Sequence, residues 1–347
     1  MQQVKASTAA AASRPATQWL RKNRDRLIAI GLISPSVIAI AIFVYGFIGF
    51  TAFSSLTRWD SLTPDFTLVG LRNYTRLFTI DRFLSDLRNT VTFTALFLAA
   101  CLAIGLGLAI LLDQGVKGEA IFRTIFLFPM AISYIVTGVV WRWLLNPGTI
   151  QTGSSGINLL FERLGLGFLK SPWFTDPTII HIPPDSWPGA WLVQTGFGVL
   201  ASPRVGISVA MISVVLAATW QMSGYTMALY LAGLRGVPDE LREAARVDGA
   251  TELQVYRYVV LPILRPITLS AVIILGHISL KIFDLVVSMT GPGPAFATDV
   301  PAFFMFDTTF RGNNFAQGAA IATMLLFTVA LLIVPYLVYT TRTEAEL

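Results

Sequence analysis

Beyond Arg265 at its edge, three titratable residues, His277, Lys281 and Asp284, interrupt an otherwise apolar stretch at 264–289. Ionisable groups are costly in hydrocarbon, so they face a cavity, a pathway or one another. At helical pitch, spacings of four and three put the three on one face and let Lys281 pair with Asp284. Two readings stay open: the face lines a route for a polar solute, or the pair neutralises itself near the interface with Lys281 snorkelling. A second polar run, Glu243-Ala244-Ala245-Arg246-Val247-Asp248-Gly249-Ala250 followed by Leu261-Pro262, lies between two hydrophobic segments. Residues for bond-breaking chemistry do not converge. The two histidines, His181 and His277, are far apart in sequence, and there is no Gly-x-Ser-x-Gly, His-Glu-x-x-His or Gly-x-x-x-x-Gly-Lys-Ser/Thr run. Cys101 is the sole cysteine, which excludes an intrachain disulfide or a cysteine-based metal cluster. No catalytic, metal or cofactor-binding residue is therefore expected.

The elements that position these groups are read from composition. With 54% hydrophobic and 13% charged residues and a mean hydropathy of +0.66, the chain is too apolar for an ordinary soluble domain. Stretches of about 20 residues, enough to cross about 30 Å of hydrocarbon as helix, lie near 27–50, 90–112, 121–145, 207–232, 264–289 and 316–339. They are continuous apolar runs and lack the alternation of a barrel. An all-α integral membrane protein with six transmembrane helices over 27–340 is predicted. Basic residues set the orientation. With residue 1 inside, the inner segments 1–26, 114–120, 235–266 and 341–347 hold 13 Lys and Arg, against nine in the much longer segments 57–89, 146–206 and 290–314. Both termini are expected in the cytoplasm, the first 26 residues as a disordered basic tail and 341–347 as a short one. The net charge of +5 follows from that topology without nucleic acid.

The outer segments differ. Residues 57–89 suggest an amphipathic helix, lying on the outer face or packed on the other helices. The segment 146–206 is long for a connection and rich in Pro and Trp; it predicts a small external cap with 188–200 at the interface.

Inside, Pro238 suits a helix start, Asp239 and Glu240 its positive end, and Gly249 a left-handed stop. Thr251 and Gln254 form a capping-box pattern that restarts a helix, and Pro262 and Pro266 mark a bend. A helix, a glycine turn and a second helix are predicted beneath the membrane. Ala244 and Ala245 offer a face that enters a groove closely, flanked by Glu243 and Arg246 for charged contacts.

The spacing Glu-Ala-Ala, two residues, Asp-Gly-Ala, then Leu-Pro resembles the EAA loop of bacterial ABC importer permeases. Val69-Gly70-Leu71, Asn73-Tyr74, Asn89-Thr90, Arg123, Pro129, Gly156-Ile157-Asn158, Trp220, Gly224-Tyr225, Phe283-Asp284 and Met289-Thr290 extend the likeness to the carbohydrate permeases of the maltose and glycerol-phosphate type. Gly291-Pro292-Gly293-Pro294 and the long outer segment before the fourth span depart from the family pattern.

The resemblance implies a permease of the bacterial inner membrane that moves a sugar, possibly glucose or an α-glucoside, by alternating access. It implies a second, similar permease subunit, a dimer of ABC ATPase subunits and an extracytoplasmic solute-binding protein as partners. ATP would be hydrolysed by the ATPase, not by this chain. Glu243, Ala244, Ala245, Arg246, Asp248, Gly249, Leu261 and Pro262 would form the ATPase-coupling loop. Trp220, Tyr225, His277, Lys281 and Asp284 are candidates for the translocation path. A secondary sugar transporter with no ATPase is the alternative class; it would need no docking loop.

Overall fold

The computed structural model describes residues 24–345. The tail expected at 1–26 falls outside them except for its last three residues, as do the last two residues of 341–347. The chain forms two compact units, Met1–Phe53 and Ser54–Leu347. In the first, a continuous apolar run gives helix α1 (Ile28–Ser54), 27 residues long, with none of its apolar window buried. Ala41–Gly46 is wound as a π-turn, which admits an extra residue without leaving backbone groups unpaired.

The second unit is built on helix α3 (Asp81–Asp113), preceded by the short α2 (Arg72–Leu77). At 1.5 Å per residue, 33 residues make about 50 Å, well beyond the hydrocarbon thickness, and the first turns of α3 carry the polar residues. Leu77 of α2 is fully buried with Phe83, Phe304 and Ile321, which decides the 57–89 segment for packing.

The third predicted span is not one helix. α4 (Glu119–Leu127) continues as a 3-10 turn to Ala131 and meets α5 (Tyr134–Leu144) at 99°. Pro129 and the extended Ile132 and Ser133 break the ladder, and Ser133 recaps the new helix by accepting from the Val136 N–H. Between α5 and α8 (Val209–Leu234) lie α6 (Gly156–Arg163), α7 (Trp187–Gln194) and two short antiparallel strand pairs, β1 (Gly148–Thr149) with β2 (Gly153–Ser154), and β3 (Ile179–Ile180) with β4 (Ile207–Ser208). Asn158 ties this segment together, donating to the Ser171 carbonyl and accepting from Trp173 Nε1. α8 is the buried centre of the bundle. Its Gly224 faces the Phe126 carbonyl so closely that no Cβ would fit, the small-residue crossing typical of membrane helices.

Beyond α8 come α9 (Asp239–Val247) and α10 (Glu252–Ile263), then α11 (Arg265–Leu280), set at 66° to α10. α12 (Asp284–Met289), α13 (Pro301–Phe306) and α14 (Phe315–Ala345) complete the chain. The fifth predicted span is likewise discontinuous, ending at Leu280 and restarting at Asp284. Among the described residues, three helices (α1, α3 and α14) are long and apolar enough to cross a bilayer, or up to five spans if each bent pair counts as one. α8 is as long as a span, but Thr219, Gln221 and Thr226 interrupt its apolar run with buried polar groups.

Candidate coupling hairpin and translocation path

The polar run between α8 and α11 folds as its residues dictate. Pro238 stands one position before α9 as its N-cap, Asp239 and Glu240 occupy the first turn, and Arg246 the last. Gly249 ends the helix at φ +88°, and nothing lies within 4 Å of a Cβ placed there, so the glycine is required by backbone conformation and not by crowding. Thr251 and Gln254 form the reciprocal capping box, with the Thr251 N–H donating to Gln254 Oε1 at 2.7 Å.

The hairpin is fastened to the bundle on one side. Arg242 donates to Asp113 Oδ2, at the last residue of α3, at 2.9 Å and to the Leu234 carbonyl, at the last residue of α8, at 2.8 Å. Ala245 and Ala250 pack on the buried cluster of Ala109, Leu112, Leu234, Val255 and Leu264. Ala244, Glu243, Asp248 and Gly249 are exposed, so the two alanines of the motif divide: Ala245 seats the helix and Ala244 faces outward. Arg246 does not stand free. It closes the glycine turn with a two-pronged contact to Glu252, at 2.7 and 3.2 Å, and this pairing raises the guanidinium above its ordinary range. Glu243 forms no ion pair among the described residues. On the same hairpin Leu241, Val247, Leu253 and Tyr258 are exposed, while Leu261 is partly exposed and Pro262 half-buried at the bend. A carboxylate without a partner among exposed apolar side chains is the makeup of a protein contact. Sequence reasoning missed the Arg242–Asp113 anchor because its partners lie 129 residues apart.

The path residues are not one cluster. The shared face inferred for His277, Lys281 and Asp284 assumed a continuous helix. His277 lies in α11, Lys281 in the break at φ −114°, and Asp284 opens α12. No Lys281–Asp284 ion pair forms; the unwound residues between them turn the two apart from the helical register. Lys281 instead lines a cavity of about 400 Å³ with Phe283, Ala302, Met305 and Phe306. Trp220 and Tyr225 sit on α8, away from that lining; Trp220 meets Trp141 edge-on at 5.9 Å, and Tyr225 packs on the main core. Beside the α4–α5 bend, Gln221 Nε2 donates to the Ile132 carbonyl at 2.6 Å, satisfying a backbone group freed by the break. Gln221 carries no charge, so a search for charges inside spans passed over it.

At the opposite end of α3 from Asp113, Arg82 donates to Asp299 Oδ2 at 2.5 Å and to Asp307 Oδ2 at 2.9 Å. Asn89 donates to the carbonyls of Phe296 and Asp299. Asp299 is fully buried, and that burial holds its carboxyl above the ordinary range despite the hydrogen bond from Arg82.

Residues 101–342 match the family described as the binding-protein-dependent transport system inner membrane component. A probable ABC transporter permease protein of Pyrococcus horikoshii is 40% identical over 94% of this chain and 99% of its own. The xylose/arabinose import permease protein of Haloferax volcanii is 34% identical over 87% of this chain and 84% of its own. A bacterial alginate ABC transporter, solved in complex with an alginate pentasaccharide-bound periplasmic protein, has a chain that superposes with TM-score 0.68 at 18% identity, covering 91% of this chain and 93% of that one.

Proposed function

From the premise that this chain belongs to the binding-protein-dependent transport system inner membrane component family, we propose that it is one of two permease subunits of an ATP-driven sugar importer, with α9 as its coupling helix. The observation that carries the reading is the two-sided hairpin: Arg242 and Ala245 tie α9 to the bundle, while Glu243 and Ala244 face away from it. A helix gripped by a partner and pinned to the ends of α3 and α8 transmits rigid-body movement to both.

In this reading the six predicted segments are the six spans, with α4–α5 as a broken third and α11–α12 as a broken fifth, and both termini are cytoplasmic in a bacterial inner membrane. Two ABC ATPase subunits hold the inner loops of this chain and its partner permease. ATP binding closes them and turns the path outward to receive sugar from an external binding protein; hydrolysis resets it. Arg246 holds the turn closed from within, and Glu243 makes the charged contact to the ATPase. The relatives support a sugar as cargo. Glucose or an α-glucoside is the narrower proposal, and the pentoses named for the Haloferax relative are the competitors to include in uptake assays. Lys281, His277 and Asp284 at the α11–α12 break, with Trp220 and Tyr225, are the proposed path. Broken helices lend the path backbone groups as well as side chains.

The test is copurification of tagged chain from its native membrane, comparing wild type with Glu243→Lys. An ATPase that accompanies the wild type and is lost from the variant supports the reading. If no ATPase accompanies the wild type in mild detergent, it is wrong.

A further inference from the structure

At the end of α3 remote from the coupling hairpin is a cavity of about 520 Å³, open on one side, between the first three turns of α3 and the turn Pro203–Val205. It falls in the size range of small-molecule sites. Its chemistry is graded along the helix. Asp81 and Ser85 lie at its top, Arg88 midway, and Leu84, Leu87 and Val91 form an apolar wall. Facing them from the turn are Arg204 and Val205. From Asp81 to Thr92 the helix rises about 16 Å, close to half of the roughly 30 Å hydrocarbon thickness. Val91 is 69% exposed on a span surface, so the apolar wall runs on into the surface that lipid covers.

The two arginines are differently prepared. Arg88 is pre-set: it donates to Asn89 Oδ1 at 2.9 Å and to the Pro203 carbonyl at 3.3 Å, and Asn89 is itself held by the carbonyls of Phe296 and Asp299. Arg204 is exposed, and no acidic residue within ion-pair reach of it is found among the described residues. The neighbouring stretch 186–203 holds no charged residue, and Trp187 and Trp191 are exposed on α7, the residue type that settles at headgroup level.

We infer that this cavity seats one anionic phospholipid, its phosphodiester between Arg88 and Arg204, its hydroxyl-bearing headgroup toward Asp81 and Ser85, and an acyl chain along Leu84, Leu87, Val91 and Val205. Guanidinium pairs with phosphate through two parallel hydrogen bonds, and two arginines above an apolar wall match the order of phosphate and acyl chain in a lipid. The lipid fills the gap between α3 and the outer segment and fixes the turn at 203–205. The inference rests on the membrane-spanning part of the proposed function and not on the ATPase.

The test uses the full chain, purified in mild detergent with whatever subunits accompany it, and native mass spectrometry with added phosphatidylglycerol, phosphatidylcholine or free glycerol phosphate. Wild type is expected to retain one phosphatidylglycerol at least tenfold more tightly than phosphatidylcholine. Arg204→Glu and Val205→Asp, both on an exposed turn, are each expected to lower that retention at least tenfold, with the copurifying subunits unchanged. Equal retention of phosphatidylcholine together with no effect of Arg204→Glu overturns the site. Free glycerol phosphate bound as tightly as the lipid, and unaffected by Val205→Asp, overturns it in favour of a soluble phosphate site. Loss of the ATPase from wild type would overturn the coupling reading while leaving the lipid result standing.

Discussion

The two ends of α3 are fastened in opposite ways. At Asp113 the partner is Arg242, a single largely buried ion pair made by a hairpin whose turn is exposed and held by local caps. At Arg82 the partners are Asp299 and Asp307, more than 200 residues away, and Asp299 has no exposed surface. Two aromatic rings, Phe296 and Phe304, lie within 5.0 Å of the Arg82 guanidinium. One end is a latch made by a single ion pair. The other is a clasp in which Arg82 is shared by two carboxylates, one of them fully buried and the other held as well by Arg311.

That contrast breaks most visibly at the clasp. Arg82→Ala leaves Asp299 buried without its cation, at a cost of about 3–5 kcal/mol, and is expected to lower the unfolding temperature of the purified protein and its yield in the membrane. A variant as stable as wild type would show that the clasp carries no structural weight. Arg242→Ala should cost less, about 1.5–3 kcal/mol, the range of a charged hydrogen bond. Its signature is different: sugar-stimulated ATP hydrolysis should uncouple from uptake while the unfolding temperature shifts modestly. If the two arginine variants behave alike, the distinction between latch and clasp fails.

Gly249→Val comes next. The site is roomy, so its effect arises from forcing a β-branched residue into left-handed backbone, roughly 1–2 kcal/mol. Insertion should be intact and uptake lost; normal uptake would remove the turn from the mechanism. Gly224→Ala is the matched control, because its Cβ would meet the Phe126 carbonyl and disturb packing at the α4–α5 bend instead. Arg246→Ala, on an exposed pair, is expected to leave the unfolding temperature essentially unchanged, its effect read as faster hydrogen exchange confined to 246–254.

The same contrast explains what could be read from the residues in order. The hairpin was legible almost position by position, because Pro238, Gly249, Thr251 and Gln254 act on neighbours within a turn. The apolar runs announced helices for the same reason. The clasp was not legible: Arg82 in sequence is one of five arginines in 57–89, and only tertiary folding brings it to Asp299 and Asp307. The breaks at Ile132–Ser133 and Lys281–Phe283 were hidden by continuous hydropathy, which reports transfer into lipid and says nothing of ladder interruptions that Gln221 or a cavity can satisfy. Assuming unbroken helix at 277–284 produced the single face that the structure does not have.

The smallest effect sets two outer carboxylates against each other. Asp65 is exposed, and its carboxyl is held down to about 2, first by the Thr67 side-chain hydrogen bond, then by the Thr67 N–H and by Arg58. A depressed acid stabilises the fold above its unfolded value of about 3.9 and loses that contribution as pH falls through about 2. Asp299 has the reverse sign. Burial raises it, so its contribution is greatest at low pH and is lost as pH rises through the raised value. Hydrogen exchange corrected for intrinsic rate should therefore loosen 57–68 only toward the acid end, by a small factor because the site is in water. Residues 297–301 should become tighter as the pH is lowered through the raised Asp299 value. If both segments respond in the same direction, Asp299 is not titrating against its burial, and the clasp is an ordinary ion pair like that of Arg58 and Asp65.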